Sequence, residues 1–416
     1  MRHSSFNGRK IFNDPVYGFI TVGDPLLFDL IEHPWFQRLR RIRQLGMTDT
    51  VYPGALHTRF QHSIGAMHLM NQAIHALQIK GVDISKQESL DAAVAILLHD
   101  IGHGPFSHAL ENSIIGNIDH EMISGLYMDK LNEIFEGELS GAISIFQNTY
   151  KRKFLHQMVS SQLDMDRLDY LKRDSFYTGV SEGVVNVERI IKMLFVAEDK
   201  LVVEEKGIYS IEKFIIARRL MYWQVYLHKT VLAAENMMMM ILKRAGELSR
   251  NGETLFATPV LSFFLKSRLG RNELLHNPAV IEQFSLLDDY DIYAAIKVWA
   301  RVDDPVLSRL CNMLVNRQLF NTDLQAEPFA EDRLERLKAE IAKKYRITPE
   351  EASYFIISSS TENHAYHPKS DKINIYYKSG EVMDIANVSD QLNITVLHKT
   401  VTKYFMCFPK EFRDCL

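Results

Sequence analysis

His99 and Asp100 stand directly after the run Ala-Ile-Leu-Leu, where two polar side chains are costly unless something satisfies them. Consecutive helical residues point about 100° apart, yet at a helix end both side chains can turn onto one ion. Two other residues share the predicament. His62 opens a helical pattern in line with Ala66 and Ala73, and Asp166 falls with Val159, Leu163 and Tyr170 on one apolar stripe. A buried carboxylate without a partner is unstable, and a cation is its usual remedy. His62, His99, Asp100 and Asp166 would together form a mixed nitrogen and oxygen donor set suited to Fe, Mn, Zn, Mg or Co. A lone His-Asp pair means little, so the inference rests on all four converging in the fold.

A metal-activated water would also need charge neutralisation and a proton for the group that leaves. His103 and His108 follow His99 in a turn punctuated by Gly102, Gly104 and Pro105, which folds them back over such an ion. Imidazole exchanges protons near neutral pH; the alternative for each is a structural or surface histidine. Further along, Arg218, Tyr222, Tyr226 and Lys229 recur at helical spacing. That face either binds phosphates and stacks a base or sugar, or is a tyrosine-lined core with snorkelling cations.

The elements that must position these residues are helical. Apolar periodicity predicts helices over 62–79, 89–100, 155–174 and, very long, 211–247. The four consecutive methionines within Met237–Leu242 fit core packing better than a pocket lining. A short strand is expected at Gly18 to Val22. After about residue 345 the pattern changes: Lys372–Lys378 and Lys403–Phe408 read as strands, with Ser379-Gly380-Glu381 as a turn. The expected class is mainly α: a helical domain over 1–325, with the metal site within 44–230, and a small α+β region over 326–416 entered by a charged helix at 331–345.

Composition supports a large soluble core, with 416 residues, 46% hydrophobic and 24% charged. The formal net charge of −4 argues against nucleic acid as a partner. Three cysteines (Cys311, Cys407, Cys415) without metal-ligand spacing fit a reduced, cytoplasmic protein. Neither a secretory signal nor a membrane-length apolar run is visible.

The order His62, His99-Asp100, Asp166 resembles the H…HD…D signature of the HD superfamily. Tyr52-Pro-Gly-Ala55, His57-Thr-Arg-Phe-Gln-His-Ser63 and His99-Asp-Ile-Gly-His-Gly-Pro-Phe-Ser-His108 resemble its dNTP triphosphohydrolase branch, from about Lys10 to Phe408 and without the sterile alpha motif of the animal member. The resemblance implies hydrolysis of deoxynucleoside triphosphates to deoxynucleoside and triphosphate on a divalent metal, with a second Mg²⁺ accompanying the triphosphate. It implies His120 as general acid, Glu111 orienting it, and His103 beside the α-phosphate. His108, Arg59, Arg167 and Arg218 would contact phosphates or substrate; Gln44, Tyr170, Asp174, Tyr222 and Tyr226 would hold the sugar and its surroundings. It also implies an activator site for GTP or dGTP between subunits of a homodimer or homotetramer, from Lys10, Ile11, Glu32, Gln37, Arg40, Lys206 and Arg317. The alternative for that group is a surface salt-bridge cluster, and Glu204 beside Lys206 is an unfavourable neighbour for a triphosphate. Alternative functions are an HD phosphatase of nucleoside monophosphates or alarmones, and a nucleotide-sensing or nucleic-acid-binding protein.

Overall fold

Side-chain caps set where the site-bearing helices begin. The computed structural model describes residues 8–106, 119–267, 269–270, 273, 276–363, 366, 372–389 and 401–415. Helix α1 (Arg59–Ile79) starts where the Gln61 side chain accepts the Thr58 N–H at 2.9 Å. Helix α2 (Lys86–Leu98) starts with a reciprocal pair: the Ser85 N–H donates to Glu88 at 3.0 Å, and the Glu88 N–H to Ser85 Oγ at 3.1 Å. It is buried from Ala92 to Leu98 and ends there, so His99 and Asp100 occupy the turn just beyond. Asp119 caps α3 (His120–Ile134) through the Glu121 N–H at 3.0 Å.

The single helix expected over 155–174 is two, α4 (Lys153–Val159) and α5 (Met165–Thr178). Asp164 makes the break. Its carboxylate accepts the Ser161 N–H and the Arg167 N–H, each at 2.7 Å, which offers the backbone an alternative to the helical ladder. The long helix expected over 211–247 is also interrupted. α6 (Ile208–Met221) runs into a π-helical turn at Tyr222–Tyr226, and α7 (Lys229–Arg250) starts afresh. Neither glycine nor proline marks this break; tertiary bonds do. Tyr52 donates its hydroxyl to the Gln224 carbonyl at 2.6 Å, and the His228 ring caps α7 through the Thr230 N–H at 3.2 Å. Lys229 therefore leaves the Arg218–Tyr222–Tyr226 face and is exposed at the next helix start.

α1 packs against both α2 and α5, bringing the three segments with His62, His99-Asp100 and Asp166 together. The architecture is mainly α, with a smaller C-terminal α+β region. Strands β1 (Lys10–Asp14) and β2 (Gly18–Val22) form an antiparallel hairpin. β3 (Leu194–Ala197) and β4 (Lys200–Glu204) pair antiparallel, and β4 also pairs parallel to β7 (Asn374–Tyr376), which turns through 377–381 to β8 (Val382–Asp384). β9 (Val401–Phe408) lies between β5 (Asn321–Gln325) and β6 (Ile357–Asn363). Both C-terminal sheets thus include a strand from before residue 326. The charged helix expected at 331–345 is observed as Glu331–Tyr345. Met237 and Met238 are fully buried and Met240 packs against the core. Cys311 and Cys407 are buried free thiols. No helix among the described residues is long and apolar enough to cross a membrane.

A candidate metal centre and substrate cavity

His62, on the buried face of α1, and His99, after α2, aim their Nε2 atoms at each other across 3.4 Å. Each ring is fixed from behind. His62 Nδ1 donates to Asp169 Oδ2 at 2.7 Å, and His99 Nδ1 donates to the Ile96 carbonyl at 2.6 Å. A carbonyl or carboxylate can only accept, so each Nδ1 carries a proton, and in the neutral imidazoles both Nε2 atoms present lone pairs to one point. Two converging lone pairs in a buried place repel unless a proton or cation lies between them. Asp166 Oδ1 is 3.1 Å from His62 Nε2 and 3.4 Å from His99 Nε2; Asp100 lies 3.7 Å from the first and 3.4 Å from the second. A cation with ligands at about 2.1 Å has ligand–ligand edges of about 3.0 to 3.4 Å, so His62, His99 and Asp166 fit a divalent ion, with Asp100 at the edge of that group and nearer His103.

The electrostatics agree. Burial opposes a charged His62, yet hydrogen bonds with Asp166 and Asp169 raise its pKa to about 10. Burial likewise works against the carboxylate charge of Asp166, but His62 and His99 hold its pKa far below the usual range. Asp100 and Asp166 therefore favour positive charge between the two rings, whether a proton or a cation.

Asp169 is held in turn by Arg173, whose Nε and Nη2 donate at 2.9 and 3.0 Å, while Nη1 reaches Asp14 at the end of β1 at 2.7 Å. Gly65, one turn after His62, is needed for this: a Cβ there would lie 2.1 Å from Asp169 Oδ1. Asp166, Asp169 and Arg173 share a helical face, so Asp169 was readable from its spacing. Sequence reasoning passed it over.

A second group meets the first at Asp100. His103 Nε2 lies 3.2 Å from Asp100 Oδ1, and the His103 and His120 rings stack with centroids 3.8 Å apart. Burial and the Arg59 guanidinium push the His103 pKa well down, so its imidazole is neutral. Gly102 permits the contact, since a Cβ there would lie 2.3 Å from the Ser124 N in α3. Arg59 donates to Asp100 Oδ2 at 2.5 Å. His108 and Glu111 lie outside the described residues.

A cavity of about 630 Å³ leads away from Asp100, His103, His120 and Asp166. Arg59, Arg167, Gln44, Tyr170, Asp174, Tyr222 and Tyr226 all line it. Asp174 accepts the Tyr226 hydroxyl at 2.7 Å and His57 Nε2 at 2.8 Å. Arg218 is buried with its guanidinium 5.9 Å from the Tyr222 ring, behind the lining rather than in it. Ser360, Thr361 and Phe405 of β6 and β9 also line the cavity, as do Leu232 and Glu235 of α7. Sequence reasoning gave the C-terminal strands no part in the site, and strand patterning carries no signal of which cavity a sheet will face.

Comparison with known proteins shows the family of the chain. A family model described as the HD domain matches residues 59–174, and one described as an HD associated region matches 185–255. A solved structure of a phosphohydrolase from Bacteroides thetaiotaomicron is 53% identical and superposes with a TM-score of 0.94, covering 96% of this chain and 99% of that one. The uncharacterized protein YwfO of Bacillus subtilis is 31% identical over 97% of this chain and 92% of its own. The chain belongs to the HD-domain phosphohydrolase family. A Dictyostelium discoideum homolog of deoxynucleoside triphosphate triphosphohydrolase SAMHD1 is 33% identical over 56% of this chain, which spans about half (49%) of that relative's length. HD domains bind divalent metals, and the donors described above lie within the matched region.

In this HD protein the residues expected to hold an activator are only partly gathered within one chain. Lys10 Nζ is 4.0 Å from Glu32 on the N-terminal side of the fold, where Gln37 accepts Arg40 Nε at 2.8 Å and Arg40 lies 3.6 Å over the Phe60 ring. Ile11 is exposed on β1. Arg317 instead donates to the Thr50 carbonyl at 2.9 Å and lines a separate cavity with Arg309 and Lys410. Lys206 is exposed, and the neighbouring Glu204 is paired with Lys80 at 3.0 Å.

Proposed function

We propose that this HD hydrolase is a deoxynucleoside triphosphate triphosphohydrolase, converting dNTP and water to deoxynucleoside and triphosphate. The observation that carries the reading is a cavity that joins Asp100 and Asp166 of the His/Asp cluster to two polar zones. Arg59 and Arg167 lie on the lining with the cluster's Asp100 and Asp166; Gln44, Tyr170, Asp174 and Tyr226 supply hydrogen-bonding groups and rings of the kind that grip a sugar. The name of the Dictyostelium relative supports the same substrate class.

His62, His99, Asp100 and Asp166 would hold the divalent ion, which when bound supplies Lewis acidity and offsets phosphate charge. Arg59 and Arg167 neutralise the triphosphate, with Arg218 adding positive charge behind Tyr222. His103, neutral in its buried position, would stand beside the α-phosphate. His120, half-buried at the mouth of the cluster, delivers a proton to the departing 5′ oxygen. Tyr170 and Tyr226 pack against the sugar, where a 2′-hydroxyl would find no room. Lys10, Ile11, Glu32, Gln37 and Arg40 of one subunit, with Arg317 and Lys206 supplied by neighbours in a homo-oligomer, would hold a GTP or dGTP activator. Residues 1–325 would form the catalytic domain and 326–416 a smaller region.

The test is incubation of the purified protein with each dNTP and Mn²⁺ or Mg²⁺, with and without GTP, and separation of products by chromatography. Deoxynucleoside with triphosphate is expected. Release of orthophosphate or pyrophosphate instead would move the assignment to another phosphatase of the family.

A further inference from the structure

His57 has no part in the scheme above, yet it touches both ends of the polar zone assigned to the sugar. Its backbone carbonyl accepts the Gln44 N–H at 3.0 Å, and its Nε2 donates to Asp174 Oδ1 at 2.8 Å. Gln44 and Asp174 both line the cavity, while His57 itself is buried at 2% exposure. The ring is stacked on Tyr177 at 4.4 Å and 18°, and Tyr177 is anchored in turn by the Gln61 amide at 2.9 Å. Because a carboxylate only accepts, the proton is on Nε2; Nδ1 has no hydrogen-bond partner among the described residues. The only polar role this side chain performs there is to hold Asp174.

We infer that His57 is the positioning residue of the sugar subsite, its Nε2–H orienting Asp174 so that the enzyme favours substrates carrying a 3′-hydroxyl. The inference rests on the dNTP reading given above. The Tyr226 hydroxyl occupies Asp174 Oδ2 at 2.7 Å and His57 occupies Oδ1, so each oxygen keeps one lone-pair direction for substrate. Both donors are needed to define that direction. With His57 silent, the carboxylate can rotate toward Tyr226 and turn its free lone pairs out of line.

The experiment compares kcat/KM for a dNTP and for the matching 2′,3′-dideoxynucleoside triphosphate, in wild type, His57→Phe and His57→Gln. Phenylalanine keeps the ring stacked on Tyr177 and removes the donor; glutamine returns an N–H at the reach of Nε2. A hydrogen bond to a charged group is worth about 10- to 100-fold, so His57→Phe is expected to lose about that factor on the dNTP, mainly in KM, and about 3-fold or less on the dideoxy substrate. His57→Gln is expected to recover most of the loss. The ratio of the two substrates is read within one preparation, so partial unfolding cancels. Equal losses on both substrates, or an unchanged dNTP rate, would overturn the inference while leaving the dNTPase reading intact. A wild type that turns over no dNTP would overturn that reading and this inference with it.

Discussion

Asp169→Asn tests the metal centre without touching a donor atom. Asp169 is fully buried and accepts three N–H groups, from His62 Nδ1 at 2.7 Å and Arg173 at 2.9 and 3.0 Å. Asparagine keeps the shape but carries no charge, and its NH₂ points a donor at one of those donors. His62 then loses the acceptor that keeps its proton on Nδ1, so the proton can move to Nε2, where a cation needs a lone pair. Loss of such an orienting partner typically weakens metal binding by about 10- to 100-fold, or about 1.4 to 2.8 kcal/mol at 1.4 kcal/mol per decade. Folding suffers separately. Arg173 keeps Asp14 at 2.7 Å but loses its second carboxylate, and disrupting a buried ion pair costs about 3–5 kcal/mol, here toward the lower end.

The measurement is a Mn²⁺ titration of metal-stripped protein by calorimetry, with turnover followed against free metal. The variant is expected to need 10 to 100 times more Mn²⁺ for half-saturation, and to approach wild-type kcat once saturated, since Asp169 faces away from the cavity. Near-UV circular dichroism checks that packing is retained. Unchanged Mn²⁺ affinity in a folded variant would refute the tautomer argument. Activity that saturating metal does not restore would show that Asp169 acts by some other route.

Three further outcomes follow from the same geometry. Asp166→Ala removes a carboxylate oxygen that lies within 3.4 Å of both imidazoles, so bound metal by elemental analysis and activity should fall together; activity without metal loss would remove it from the donor set. His120→Ala should keep metal and lose about 100-fold or more of turnover, and full activity would end its assignment as the acid. The third concerns pH. Burial raises the Asp289 pKa to about 7, against the two backbone N–H bonds it accepts from Arg43 and Phe106. The folded chain thus holds a proton that the unfolded chain releases near pH 4, and stability is lost as pH rises from there to about 7. The melting temperature of Asp289→Asn relative to wild type should therefore climb across that window and level off above it; a flat difference would refute the burial argument.

The candidate metal donors were legible from two signals together: polar residues set in or beside apolar helical patterns, which call for a partner, and their H…HD…D order. The helix breaks were not. Nothing in the local residue types announces the π turn at Tyr222–Tyr226, because it is set by Tyr52 and the His228 cap, groups far apart in sequence or acting through a side chain. Asp164 did carry a cap signature, Ser-Ser-Gln-Leu-Asp, but the apolar stripe through it was the stronger local pattern. The His57–Asp174 bond joins residues 117 apart, and the approach of β6 and β9 to the cavity joins segments further apart still. Long-range pairings of this kind have no periodicity from which to read them.

The charges around the centre are arranged in a definite order. On the buried side, Arg173 binds Asp169 and reaches Asp14, so the carboxylate orienting His62 is already neutralised and the N-terminal hairpin is pinned to the helix that carries Asp166. On the cavity side, Arg59 is paired with Asp100 at 2.5 Å, yet it also lines the space where a phosphate would lie. A guanidinium offers five N–H donors in a fixed fork, so Arg59 can keep its hold on Asp100 while presenting other donors outward. A lysine there would have to choose, because its point charge cannot span both groups with fixed geometry. On the proposed function the same residue would steady a metal donor and receive substrate charge. This is why removal of Arg59 should disturb metal affinity and substrate affinity together, whereas removal of Arg167, paired with Asp164 at 3.5 Å outside the donor set, should disturb substrate affinity far more than metal.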